Sequence, residues 1–163
     1  MLRHILVPLD GSLLAKTALD LATQVADTTC EITLVTAVKE PEYPTYPASP
    51  ISVNPEYYPT LELLESDAKY YLEEIAAPLR QQGYHVSTRI EVGDSAECIL
   101  HAAVKLRVDV IVMSTHGRSG VSRLLFGSVT NHVLNQATCP VLVVPSQQTR
   151  QQHERKLPET TIT

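Results

Sequence analysis

The sequence predicts a doubly wound α/β domain, an open five-stranded parallel sheet with helices on both faces. Three observations predict it. Five short apolar runs alternate with four segments whose apolar residues recur at helical spacing. The fourth run, ending near Met113, is almost wholly apolar and β-branched, as a strand buried on both faces is. Small or polar residues follow the strands and open the helices, as in Asp10-Gly11-Ser12, Gly93-Asp94-Ser95 and Gly127-Ser128. In such a fold right-handed crossovers place the helices, and ligands bind beyond the carboxyl ends of the strands, where the winding reverses.

Taken in order, Ile5–Leu9 is the first strand and Asp10-Gly11-Ser12 its turn. Ser12 is a natural N-cap for a first helix carrying Leu14, Ala18, Leu21, Ala22 and Val25, ending near Ala26. Asp10 has two readings: a turn or capping carboxylate, or a ligand contact at the carboxyl end of a strand. Ile32–Val38 is the second strand. Residues 40–59 follow with six of the eleven prolines and four of the seven tyrosines. That density excludes a helix or central strand and marks an insertion loop, read as a surface loop or else as a flap near the site or a partner surface, since tyrosine is favoured at interfaces. A second helix enters at Thr60 or Ser66 and runs to about Gln82. Pro78 is expected to bend or shorten it, and Gly83 suits its end. His85–Val92 is the third strand. Asp94 or Ser95 caps the third helix, with Glu97 in its first turn. Asp109–Met113 is the fourth strand, the fourth helix spans about Gly127 to Gln136, and Pro140–Pro145 is the fifth strand. Residues 146–163 lack periodicity and read as a flexible tail beyond a 1–145 domain.

Composition sets bounds. A chain of 163 residues with 44% hydrophobic and 19% charged content fits one globular domain with a real core. The net charge of -5 argues against general nucleic-acid binding. No stretch approaches 18 apolar residues, so no membrane span is expected, and the N-terminus lacks a signal-peptide pattern. Cys30, Cys98 and Cys139 have no metal-ligand spacing and sit in apolar segments, as free thiols of a reducing compartment do; the expected location is the cytoplasm.

The richest stretch is Val108 to Ser128. After the fourth strand comes a loop of small and polar residues, Ser114, Thr115, His116, Gly117, Arg118, Ser119 and Gly120, and then Gly127-Ser128 at a helix start. Strand, small-residue loop and helix N-terminus together present backbone N–H groups to an anion. No Asp or Glu occurs between Val110 and Thr149, and the formal charges there are Arg118 and Arg123. A phosphate site needs such a neighbourhood, because a nearby carboxylate repels the ligand. If the first and fourth strands are neighbours, Asp10 and this loop face one crevice, with phosphates on N–H groups and ribose hydroxyls or base on the carboxylate. No catalytic pattern accompanies it: no Walker-type loop, no Gly-x-Gly-x-x-Gly after the first strand and no nucleophile elbow.

These residues resemble the universal stress protein family over about residues 1–145. The resemblance rests on Ile5-Leu-Val-Pro-Leu-Asp-Gly-Ser12, Glu91-Val-Gly-Asp94, Met113-Ser-Thr-His-Gly-Arg-Ser-Gly120, Leu125-Phe-Gly-Ser-Val129 and Cys139-Pro-Val-Leu-Val-Val-Pro145. ATP-binding members carry Gly-x-x-Gly, nine residues, then Gly-[Ser/Thr]. Here Ser114-Thr-His-Gly117 is followed by nine residues and Gly127-Ser128, so the spacing is intact and Ser114 replaces the first glycine. The resemblance implies strand order 3-2-1-4-5 and an adenine nucleotide, ATP or AMP. It implies that Pro8 lines the adenine pocket, Asp10 meets ribose or adenine, and Ala37 contacts adenine through its backbone. Met113, Ser114 and Gly117 would flank ribose and α-phosphate; Gly127, Ser128 and Val129 would hold phosphates. Arg118 and Ser119 are added phosphate contacts from their chemistry. A divalent ion, Mg or Mn, would ride on the phosphates, since no acid cluster serves it. The resemblance also implies a homodimer paired through residues 140–145. A stress-response sensor or regulator is the first reading. A slow ATPase, or a nucleotide-free interaction module favoured by Ser114, is the alternative.

Overall fold

The computed structural model describes residues 1–41, 59–115 and 126–145. Its elements are β1 (His4–Pro8), α1 (Leu13–Val25), β2 (Glu31–Val38), α2 (Leu61–Gln81) and β3 (His85–Val92), followed by α3 (Ser95–Leu106), β4 (Val110–Ser114), α4 (Ser128–Gln136) and β5 (Val141–Val144). The sheet runs β3-β2-β1-β4-β5 and every pair is parallel. The order and the alternation match the expectation. The 42–58 part of the insertion and the 146–163 tail lie outside the described residues.

β1 is central, and Ile5, Leu6 and Val7 are fully buried, as a strand covered on both faces requires. Its side chains alternate between two layers. Ile5 and Val7 pack with Ile32, Leu34, Val110 and Val112 under Ala18 and Ala22 of α1 and Leu72 and Ala76 of α2. Leu6 packs with Val35, Ile111 and Met113 under Ile99 and Ala102 of α3 and Val133 of α4. The alanines let the helices lie close on the sheet. The pairs α1/α2 and α3/α4 therefore sit on opposite faces, and the winding reverses between β1 and β4.

The caps resolve the open choices. Ser12 Oγ accepts from Ala15 N at 3.2 Å, Thr60 Oγ1 from Leu63 N at 3.2 Å, and Asp94 from Ala96 N and Glu97 N. Thr60, not Ser66, thus opens α2. Pro78 lies inside α2, which continues through Gln81. The helix closes with Gly83 N on Arg80 O and Tyr84 N on Leu79 O, and Gly83 takes φ 95°. A proline in the last turn forfeits one helical bond, and the buried Leu72 and Ala76 outweigh it. Asp109 precedes β4 rather than starting it; its carboxylate accepts from the N–H groups of Arg3 and His4.

Candidate functional site

The crevice begins where the β1–β4 ladder stops. β1 pairs with β2 through Pro8↔Val35, but with β4 only at Ile5↔Val110 and Leu6↔Ile111. Leu9 N donates to Val35 O, so the backbone of residue 8 faces β4. The next bond of the β1–β4 ladder would need the N–H of residue 8, and proline has none. A proline in a central strand is otherwise costly. Here it ends the pairing and lets the carboxyl ends of β1 and β4 part. Pro8 was expected only as a pocket wall.

Beyond it, Asp10 is half-buried and its Oδ1 accepts from Ser12 N at 3.0 Å. Gly11 follows with φ 84°, a left-handed turn that an L side chain resists. Asp10 is therefore a turn carboxylate, held at the mouth of the crevice by the turn it makes. Thr36 Oγ1 donates to Leu9 O at 2.8 Å and ties the end of β1 to β2. Ala37 lies past the last β1-paired residue, half-buried and opposite Glu91. The Val38 carbonyl accepts from Gly93 N, and beyond it a hollow of about 590 Å³ opens, lined by Lys39, Glu40, Pro41, Val92, Gly93 and Asp94.

The opposite wall is β4 and α4. Met113 is 5% exposed and packs in the α3/α4 layer, so it offers the crevice its backbone. Ser114 is half-buried, level with Val144 of β5. Thr115 is buried; its N–H donates to Val144 O at 3.0 Å and its carbonyl accepts from Gly127 N at 2.7 Å. Thr130, also buried, donates its hydroxyl toward Ser114 O at 3.1 Å and Thr115 O at 3.3 Å. Gly127 is the N-cap of α4 at φ -66°, ψ 163°, extended backbone open to any residue. No special backbone conformation therefore requires glycine at this position. Ser128 is exposed and Val129 half-buried in the first turn. Three helices carry a side-chain cap, from Ser12, Thr60 and Asp94; α4 has none, and no acid in its first turn. Its first amides have no intrahelical acceptor, and they sit beside the end of β4 at the positive pole of the helix.

The structure thus brings Pro8, Asp10, Ala37, Met113, Ser114, Gly127, Ser128 and Val129 to the carboxyl side of the sheet around the β1–β4 switch point. Gly117, Arg118 and Ser119 fall outside the described residues, with His116. Sequence reasoning missed Thr115 and Thr130. The available signal was a β-branched hydroxyl three residues after Gly127. Among the described residues no group of three or more His, Cys, Asp or Glu is placed to hold a metal. Two histidines lie beside carboxylates: His132 Nε2 is 2.9 Å from Glu97, and His101 Nδ1 is 3.8 Å from Glu91. Burial pushes the thiols of Cys30, Cys98 and Cys139 up, so they are not poised as nucleophiles.

Comparison with known proteins decides the family. The model of the universal stress protein family matches residues 1–145. The chain belongs to the universal stress protein family. Among its relatives, universal stress protein A homolog 1 of Coxiella burnetii is 32% identical over 87% of this chain and 95% of its own. Universal stress protein MJ0531 of Methanocaldococcus jannaschii is 37% identical over 51% of this chain and 49% of its own; the match with that relative spans about half its length. The solved structure of the M. jannaschii protein MJ0577 superposes with a TM-score of 0.72 at 28% identity, covering 90% of this chain and 98% of that one. Two more distant structures share the fold: a universal stress protein in complex with cAMP (21% identity, TM-score 0.63, 88% and 97% covered) and an Arabidopsis thaliana member with AMP bound (16%, 0.63, 91% and 94%). Among the described residues no helix is long and apolar enough to cross a membrane.

Proposed function

We propose that this universal stress protein binds an adenine nucleotide, ATP or AMP, in the crevice between β1 and β4, and acts as a stress-response sensor or regulator. One observation carries the reading. The helix that begins at the switch point is the one described helix without a side-chain cap, in a stretch free of acids. A capping oxygen would occupy the amides that a phosphate needs, and a carboxylate there would repel it. The nucleotides bound by the cAMP and AMP complexes support the choice of ligand. Adenine would lie against Pro8 and the Ala37 backbone, with Asp10 on a ribose hydroxyl. The backbones of Met113, Ser114 and Gly117 would flank ribose and α-phosphate. Gly127, Ser128 and Val129 would hold phosphates, with Arg118 and Ser119 adding contacts. Mg or Mn would coordinate phosphate oxygens. Pairing of β5 edges would make a homodimer.

Calorimetric titration with ATP, ADP and AMP tests the reading. Wild-type protein should bind at least one of them below millimolar concentration. The Gly127→Val protein should fold, at a cost of about 1 kcal/mol for a poorer N-cap, and lose binding because the side chain fills the approach to the amides. Absence of binding by the wild type at millimolar nucleotide would overturn the reading.

A further inference from the structure

We propose that Thr130 is the positioning residue of the phosphate half of this crevice, an inference that rests on the nucleotide reading above. A threonine inside a helix ordinarily turns its hydroxyl back to a carbonyl of the preceding turn. Thr130 instead spends its hydroxyl across space, on the carbonyls of Ser114 and Thr115 at the end of β4. It does so at 3% exposure, where an unmade hydrogen bond is costly.

Two consequences follow from the geometry. The first is distance. Gly127 N–H and the Thr130 hydroxyl, from the start of α4, both donate to the Thr115 carbonyl, and the Thr115 N–H is held by Val144 O of β5. With no side-chain cap on α4, these bonds fix where its first amides sit relative to β4. The second is charge. The Ser114 and Thr115 carbonyl oxygens carry partial negative charge at the end of β4, beside the region where ligands bind in an α/β fold. A phosphate near these carbonyls is repelled less when donors engage them; Gly127 N–H already engages that of Thr115, and the Thr130 hydroxyl adds a donor shared by both. The hydroxyl thus readies the site for an anion without touching it.

The test compares Thr130→Val, which deletes the hydroxyl at nearly constant volume, with Thr130→Ser, which keeps it. ATP affinity is measured by calorimetry, adenosine affinity by NMR titration into the millimolar range, and folding by urea denaturation without ligand. Thr130→Val should lose about tenfold or more in ATP affinity while adenosine affinity changes less than about twofold, because adenosine carries no phosphate. Thr130→Ser should stay within about twofold of wild type for both. If the Val protein does not fold, Thr130→Ala takes its place in the same comparison. Unchanged ATP affinity overturns the proposal and leaves the nucleotide reading standing. Equal losses for ATP and adenosine, or failure of the serine to restore ATP binding, also overturn it, since they report general destabilisation or lost methyl packing. Wild-type protein that binds no nucleotide fails at the earlier step and takes this proposal with it.

Discussion

Asp10 has one observed role and one proposed role, and a pair of substitutions separates them. Its Oδ1 accepts from Ser12 N at 3.0 Å, which shapes the turn after β1. Under the proposed function the same carboxylate meets a ribose hydroxyl. Asp10→Asn keeps an acceptor for Ser12 and removes the charge. A hydrogen bond to a charged group contributes about 1.5–3 kcal/mol against about 0.5–1.5 for a neutral one. The loss is then about 1–1.5 kcal/mol, or roughly 5- to 15-fold in affinity. Asp10→Ala removes the whole interaction, roughly 10- to 150-fold. It also removes the turn bond, one to a charged acceptor, at about 1.5–3 kcal/mol of stability. Calorimetry with AMP gives the affinities and urea denaturation the stabilities. The Asn protein should lose up to about 1–1.5 kcal/mol of stability, as its turn bond becomes a neutral one, and bind more weakly; the Ala protein should be worse in both. An Asn protein that binds AMP as wild type does would refute the ribose role and leave Asp10 a turn residue.

Other outcomes follow from the same geometry. Pro8→Ala supplies the missing donor toward β4, so the amide of residue 8 should become protected from hydrogen exchange and nucleotide affinity should fall. Exchange at a surface rate would show that proline does not set the split. Hydrogen bonds from Arg3 N and His4 N hold the Asp109 carboxyl below its ordinary value. Its folded-state pKa is depressed, so its stabilisation is present above the unfolded pKa and lost as pH falls through the folded one. The stability gap between wild type and Asp109→Asn should be steady near neutrality and narrow below about pH 4; a gap that ignores pH would contradict this. In β5, Pro140 and Val144 turn their carbonyls to β4, so the N–H of Val143 faces the open edge. Under the proposed pairing of β5 edges, wild-type protein should self-associate in sedimentation and Val143→Pro should not, while keeping the fold. Unchanged association would place the dimer contact elsewhere.

The fold was legible because its signals are local. Ile5, Leu6 and Val7 announce a central strand by being apolar without alternation, and Ser12 and Asp94 announce helix starts by type and position. Pro78 misled in part: its local penalty is one bond, and burial elsewhere on α2 decides the helix length. The glycine spacing pointed to Gly127 and the end of β4. The rest of the site depends on register. Only the pairing of β1 with both neighbours shows that the absent N–H of Pro8 faces β4. Only the packing of α4 on β4 shows that Thr130 serves two carbonyls rather than solvent.

Under the proposed function, phosphate sits on the first amides of α4. NMR titration of labelled protein with AMP, with adenosine as the control, tests it at those atoms. AMP should shift the amide resonances of Ser128 and Val129 strongly, and adenosine should leave them nearly unmoved while shifting residues near Asp10 and Ala37. Saturable AMP binding with Ser128 and Val129 unmoved would contradict the account.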